Sequence, residues 1–213
     1  METVSIIAAT LGVAWASGIN LYAAIFMLGW MGGSGTYDLP PDLEILANPL
    51  VMGAAALMYC VEFFADKIPG VDTLWDAVHS FIRIPVGAML AAGAVSPLGA
   101  EAELAALILG GALTAGTHVT KAGSRMLINT SPEPFTNWSA SIGEDVAVIG
   151  GLWVALNHPV LFIVLMVLVI LFMIWLLPRI WRGIVAVFRK IAGFFGGRSR
   201  TARADPGTDP PPR

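Results

Sequence analysis

The stretch VLFIVLMVLVILFMIWLL, residues 160–177, constrains the fold of this chain more than any other feature. It contains no charged or polar side chain, and it approaches the length of roughly 20 residues that a helix needs to cross the hydrocarbon core of a bilayer. The whole chain is 56% hydrophobic and 13% charged, whereas about a quarter of the residues of a soluble protein are charged. The sequence therefore predicts an integral membrane protein.

Six apolar segments are long enough to be considered as membrane spans, although the third is short for a full crossing. The sequence predicts an all-α, polytopic fold with about six transmembrane helices. The predicted spans are residues 5–31, 49–66, 84–98, 102–127, 136–156 and 159–178.

Lys and Arg residues occur in every second loop of this arrangement. Lys67 and Arg83 lie between spans two and three, Lys121 and Arg125 close span four, and the segment after Pro178 is basic. The connections after spans one, three and five contain neither residue type. Because cytoplasmic loops carry the excess of Lys and Arg, this alternation predicts six spans with both termini in the cytoplasm.

Two amphipathic segments are predicted to lie along the membrane surface. In residues 71–83, Asp72, Asp76, His79 and Arg83 share one helical stripe, opposite an apolar face. Residues 179–195 form a basic amphipathic helix, which suits contact with anionic lipids. Residues 196–213 are rich in Pro and Gly and low in apolar residues, so a disordered tail is predicted there.

Ionisable residues inside the predicted spans are the candidates for a functional site, because a charge at mid-depth costs about 2.5–3.5 kcal/mol unless it is paired or hydrated. His118, Lys121 and Arg125 share one face of span four by their spacing, as Tyr59, Glu62 and Asp66 do on span two. Ordinary ion pairs near helix ends are the alternative, above all for Asp66, Lys67 and Arg125. The predicted substrate or ion site consists of Glu62, His118, Lys121, Glu144, Asp145 and Asn20.

Two further patterns bear on the architecture. Residues 11–20 and 109–118 share Leu, Gly, Ala and Gly at identical offsets, which makes them candidates for an inverted three-plus-three repeat that pairs Asn20 with His118. The segment NTSPEPFTNW, residues 129–138, is predicted to form a gate or an ordered turn, or simply a well-capped connection. Its key residues are Pro132, Pro134, Asn137 and Trp138.

The motifs VEFFADKIPGVD (61–72) and NTSPEPFTNWSASIGED (129–145), with SGINLY (17–22), resemble a bacterial membrane family known as domain of unknown function 4126. The resemblance extends over roughly residues 5–158. It implies a small multi-pass protein of the bacterial cytoplasmic (inner) membrane, and it implies no substrate or catalytic residue. The predicted organisation is a family-like core (1–158), an additional transmembrane helix (159–178), the basic helix (179–195) and the tail (196–213).

Three functions fit these features. A transporter or channel explains polar groups on spans two, four and five together. A membrane scaffold or assembly protein would use the basic C-terminal helix. A membrane-embedded lipid-modifying enzyme, with His118 and Glu62 or Glu144 as an acid and base pair, is less favoured. No cofactor, metal or nucleic acid is predicted; the partners expected are the lipid bilayer and, as an open alternative, further copies of the chain.

Overall fold

The computed structural model describes residues 2–68, 70–130 and 134–196, and the regular elements of these residues are all helices. The α-helices are α1 Glu2–Ile19, α2 Leu21–Gly33, α3 Pro49–Ala65, α4 Val71–Val95, α5 Ala100–Ile128, α6 Pro134–Asn157 and α7 Pro159–Gly196. A 3-10 helix, Pro41–Ala47, precedes α3, and another, Ser96–Leu98, follows α4. The predicted all-α fold class is confirmed.

Four helices, α4 to α7, are long and apolar enough to cross a bilayer. The 3-10 helix Pro41–Ala47 and α3 add a fifth candidate, which bends by 68° between its two parts. Helices α1 and α2 are shorter apolar helices that together occupy the first predicted span. The chain is thus a multi-pass membrane protein, while the number of six spans and the inverted repeat remain predictions. The two positions that the predicted repeat pairs also differ, since the helix breaks at Asn20 but continues through His118.

Two helices continue where the sequence suggested a boundary. Helix α4 joins the predicted surface segment to the third span through Pro85, and the four polar residues of its stripe are buried rather than facing water. Helix α7 continues through Pro178, so residues 179–195 extend the last span instead of forming a separate helix. A proline is tolerated inside a membrane helix where neighbouring groups satisfy the freed backbone, so it is a weak stop signal.

Small residues allow α1, α4 and α5 to approach one another closely. A Cβ atom added to Gly18 would lie 2.6 Å from the Thr114 carbonyl oxygen, and one added to Gly87 would lie 2.6 Å from the Thr114 side chain. The Thr114 hydroxyl donates a hydrogen bond of 2.8 Å to the Ala14 carbonyl. Such contacts between small residues and hydroxyls are typical of helix packing in membranes.

The packed interior has two parts, which meet near Asn20. One end of the bundle contains a hydrophobic cluster contributed by α1, α2, α4, α6 and the 3-10 helix before α3. We call it the apolar half, and its Leu, Ile and Val members are Val13, Ile19, Leu21, Leu28, Leu43, Leu46, Leu90, Val148 and Leu152. At the other end, α3 and α5 end and α4 and α6 begin, and this end carries the polar residues described below.

Helices α5 and α7 run parallel and in register. A Cβ atom on Gly116 would meet Met173, and one on Gly123 would meet Ile180. The same offset places Lys121 level with Pro178 and Arg125 level with Arg182. This alignment allows the depth of residues on α5 to be judged against the aromatic and basic residues of α7.

Candidate functional site

Charged side chains from four helices form one buried cluster, which we call the network. All of them are at least nine-tenths buried except Glu144, whose side chain is 21% exposed. The network consists of Glu62, Asp66, Asp76, Arg83, Lys121, Arg125, Glu144 and Asp145, together with Asn20 and the backbone carbonyl of Ile19.

Lys121 lies at the centre of the network. Its Nζ is 3.0 Å from Asp66 Oδ2, 3.3 Å from Glu62 Oε1 and 3.6 Å from Glu144 Oε2. It also donates a hydrogen bond of 3.0 Å to the Ile19 carbonyl. The structure thus brings together Glu62, Lys121 and Glu144, which the sequence placed on three separate spans.

Arg83 is a network member that sequence reasoning left out of the site. Its guanidinium donates to Glu62 Oε1 at 2.7 Å, to Asp76 Oδ1 at 3.2 Å and to the Ile19 carbonyl at 3.2 Å. Asp76 and Arg83 are seven residues apart and therefore share a helix face, but their spacing does not reveal whether that face meets water or protein. The polar stripe was assigned to the membrane surface, and the structure corrects that assignment.

Arg125 connects α5 to α6. Its Nε and Nη2 donate to the two oxygens of Glu144 at 3.1 and 2.8 Å, a bidentate geometry that is strong and directional. Its Nη1 donates to the Asn137 carbonyl at 2.9 Å and also to the Asn137 side-chain oxygen. Arg125 and Asp66 are both buried, and each forms ion pairs near a helix end.

Helices α1 and α2 meet at a break inside the network, and both extend from it into the apolar half. Asn20 has an extended backbone (φ −146°, ψ 97°) between α1 and α2, and its side-chain oxygen caps α2 by accepting from the Ala23 N–H at 3.0 Å. Its amide nitrogen donates to Asp145 Oδ1 at 3.1 Å. Because the break frees the Ile19 carbonyl, that oxygen can accept from both Arg83 and Lys121.

His118 lies beside the network and does not reach its acids. Its Nε2 is 2.6 Å from the Ser80 hydroxyl, and its Nδ1 is 3.3 Å from Arg83 Nη1. Since Arg83 can only donate, Nδ1 is the accepting nitrogen, and Nε2 then carries the proton donated to Ser80. No hydrogen bond or ion pair joins His118 to Glu62 or Glu144 in the described residues, so the proposed acid and base pair is not assembled here.

The four residues assigned to a gate or turn have different positions. Helix α6 begins at Pro134, whereas Pro132 lies outside the described residues. Asn137 belongs to the surroundings of Arg125, so it does more than cap a turn. Trp138 is half exposed, and Lys67 Nζ lies 5.9 Å from its ring centre. Partial burial lowers the pKa of Lys67 from its ordinary value.

A second polar contact lies at the rim of the network. Asn129, the C-cap of α5, donates through Nδ2 to both oxygens of Asp72 at 2.8 Å. Asp72 also accepts from the backbone N–H groups of Gly70 and Thr73 at the beginning of α4, a position that favours an anion. Asp72 is therefore stabilised as a helix-terminal carboxylate, and no base in the described part of the chain forms an ion pair with it.

Acids outnumber bases in the network by five to three. Four buried carboxylate oxygens have no hydrogen-bond partner, namely Glu62 Oε2, Asp66 Oδ1, Asp76 Oδ2 and Asp145 Oδ2. Within the described residues, no three His, Cys, Asp or Glu side chains are arranged to hold a metal ion. The network therefore carries an excess of acidic over basic side chains.

Two clefts beside α7 reach this region. A cleft of about 300 Å³ between α5, α6 and α7 is mostly apolar, but its lining includes Lys121, Glu144, Thr117, Thr120 and Ser124. A cleft of about 520 Å³ between α4, α5 and α7 is mostly apolar and reaches Ser80 and His118. The smaller cleft is thus the one that opens onto network charges.

The comparisons with known proteins identify a family but no activity. No curated protein and no solved structure shows significant similarity to this chain. The match to the family extends through residue 179 and so includes the last predicted span, which the motifs alone did not cover. Since residues 7–179 match the family described as "Domain of unknown function (DUF4126)", the chain belongs to that family.

Proposed function

We propose that the protein is a membrane transporter whose substrate site is the network, and that the transported species is a proton or another small cation. The observation that carries this proposal is the helix break between α1 and α2 at Asn20, inside a cluster of buried charges. Discontinuous helices that present free backbone groups to charged side chains occur at the ion and substrate sites of transporters. Here the free carbonyl of Ile19 accepts from two cationic side chains.

The depth of the network supports the proposal. Trp175, Arg179 and Trp181 are exposed on α7, a combination typical of the membrane interface. Arg125 is level with this belt, and Glu144 lies seven residues beyond Asn137, or about 10 Å along α6 at 1.5 Å per residue. The polar residues therefore lie level with this belt, because Lys121 is level with Pro178, and Asn20 and Asp145 meet at the inner edge of the network.

The charge of the network favours a cation. Five carboxylates face three basic side chains, and four of their oxygens are buried without a partner. An anion would add to this negative excess, whereas a proton or cation would reduce it. The cleft at Glu144 provides a route by which such an ion could reach the network from the side of α7.

Flux through proteoliposomes tests the proposal. The purified protein is reconstituted, and movement of H⁺, Na⁺, K⁺ and Cl⁻ is measured under imposed gradients. We expect flux of at least one cation, reduced in Glu144→Gln and unchanged in Glu101→Gln, a matched control at an exposed carboxylate in the first turn of α5. Flux of chloride alone would contradict the cation assignment, and no flux of any ion would contradict transport.

A scaffold role is the second candidate, and the length of α7 favours it. Its 38 residues span about 57 Å at 1.5 Å per residue, whereas the hydrocarbon core is about 30 Å thick. Arg182, Arg189 and Lys190 are exposed on its last turns, where they suit anionic lipid head groups. Binding to anionic vesicles that is lost on replacing these three residues with Gln, together with absent ion flux, would favour the scaffold.

A further inference from the structure

Asp145 differs from the other acids of the network in having no basic partner. Glu62, Asp66, Asp76 and Glu144 each have a Lys or Arg nitrogen at 2.7–3.2 Å. Asp145 forms no ion pair with any described residue, although only 9% of its surface is exposed. Unlike Asp72, it also lies in the interior of a helix, where free backbone N–H groups are not available to stabilise an anion.

The hydrogen bonds of Asp145 satisfy only one of its oxygens. Oδ1 accepts from Asn20 Nδ2 at 3.1 Å, whereas Oδ2 is buried without a partner. The Tyr59 hydroxyl of α3 also approaches the carboxylate, but not in a geometry that satisfies Oδ2. One turn earlier on α6, the hydroxyl of Ser141 is likewise buried without a partner. Asp145 Oδ2 and the Ser141 hydroxyl are therefore two unsatisfied polar groups on neighbouring turns of α6, near the break between α1 and α2.

The charged groups that act on Asp145 include both signs. Lys121 on α5 and Lys67 after α3 act from a distance, without an ion pair, and Asp66 acts against them. Glu144 is its neighbour on α6, and Asn20 and Tyr59 are its neutral partners. A lone carboxylate at this depth is costly unless it is paired, hydrated or protonated. Since no cation pairs with it in the described residues, a change of protonation is the means by which it can lose that cost.

We propose that Asp145 is the proton-binding group of the transport site, an inference that rests on the proposed function and deepens it. A proton from water binds to Oδ2, which converts the carboxylate to a neutral carboxylic acid, and release returns the proton to water. No other bond changes. The hydroxyl so formed can donate to a neighbouring acceptor, which removes the unsatisfied buried oxygen.

The Asn20 amide links this proton to the junction of α1 and α2. In the ionised state, Asn20 donates a charge-assisted hydrogen bond to Asp145 while its oxygen caps α2. Protonation makes the carboxyl group a weaker acceptor, because the negative charge that strengthens the hydrogen bond is lost. The proton therefore acts on the residue at which α1 and α2 meet. Binding of the proton would in this way change the relative positions of these two helices.

Infrared spectroscopy of the full-length, reconstituted protein tests the proton site. A protonated carboxylic acid gives a carbonyl band that shifts in ²H₂O and disappears when the proton is lost. We expect such a band in the wild type, where its intensity changes with pH. It should be absent in Asp145→Asn and present in the control Glu101→Gln. No band at any pH would overturn the proposal, as would an unchanged band in Asp145→Asn.

A second variant keeps the test decisive if Asp145→Asn does not fold. Asn20→Ala removes the hydrogen-bond donor to the carboxyl group without removing the acid. We expect the band to move in frequency in Asn20→Ala and to keep its wild-type position in Ser124→Ala, which alters a cleft hydroxyl instead. A band indifferent to Asn20→Ala would show that another carboxyl group holds the proton.

Proton flux into proteoliposomes containing a pH-sensitive dye separates this inference from the proposed function. We expect Asp145→Asn to reduce proton flux to the level of protein-free liposomes. If the titrating band is present but no ion moves in the wild type, Asp145 binds a proton and transport is contradicted. If ions move equally in the wild type and in Asp145→Asn, transport stands and the role of Asp145 is contradicted.

Discussion

The same face of α6 is polar in one half of the molecule and apolar in the other. Asn137, Ser141 and Asp145 are buried along its first half, and Val148, Leu152 and Ala155 continue that face into the apolar half. Helix α4 shows the same change, from Asp72, Asp76 and Arg83 to Gly87, Leu90 and Ala94. Two different kinds of packing are therefore built on continuous helices, with the change between them near Asn20.

The comparison shows what each kind of packing can do. Contacts in the apolar half are non-directional, so they fill space without fixing individual partners. Contacts in the network are directional, and each depends on a matching donor and acceptor. The apolar half lies between the network and the other end of the bundle. If the proposed transport occurs, an ion could cross only if the helices move, which favours a transporter over an open channel.

The largest effect that would test this contrast is removal of the central base. Lys121→Met leaves Glu62 and Asp66 short of positive charge, so we expect the free energy of unfolding in mixed micelles to fall by about 3–5 kcal/mol. The double variant Lys121→Met/Asp66→Asn should recover part of this loss, because it also removes the closest acid.

The matched control for this experiment is Lys67→Met, since Lys67 is partly exposed and forms no ion pair among the described residues. It should change the free energy of unfolding little. Strictly additive effects of Lys121→Met with each of Asp66→Asn, Glu62→Gln and Glu144→Gln would show that the network is not one coupled site.

A cavity in the apolar half should have a smaller effect. We expect Leu152→Ala to lower the free energy of unfolding by about 2 kcal/mol, near the low end for such substitutions. In the unfolded state this side chain contacts lipid or detergent tails and not water, so its burial contributes little hydrophobic free energy. Ion flux should be unchanged in this variant. The lipid-exposed Leu161→Ala is the control and should be nearly neutral. A larger loss for Leu152→Ala than for Lys121→Met would reverse the comparison.

The rim of the network should show the smallest effect. Asn129→Ala removes two hydrogen bonds to Asp72, but the carboxylate keeps its backbone donors, so a loss of about 1 kcal/mol is expected. Thr130→Ala, an exposed neighbour, serves as the control in the same unfolding measurement. A loss as large as that of Lys121→Met would mean that the rim and the network cannot be distinguished.

Much of this arrangement could be predicted from the sequence, and the remainder has identifiable causes. Helical periodicity placed Glu62, Lys121 and Glu144 on faces that could meet, and the structure brings them together. Periodicity shows which residues share a face but not what that face contacts, so Arg83 was assigned to the surface. A single Asn in an apolar run is no reliable helix stop, so the break at Asn20 became apparent only when its backbone and its partners were seen together.

The long separation along the chain between acids and bases has a consequence for biogenesis. Lys121 contacts Asp66 and Glu62, which precede it by 55 and 59 residues. At a synthesis rate of about 5–20 residues per second, the acids wait roughly 3–12 s before their base leaves the ribosome. During that interval Glu62 can already pair with Arg83 of α4, whereas Asp66 has no base until α5 is made. Complete pairing of these two acids must therefore await α5, which makes the order of synthesis part of how this membrane protein is assembled.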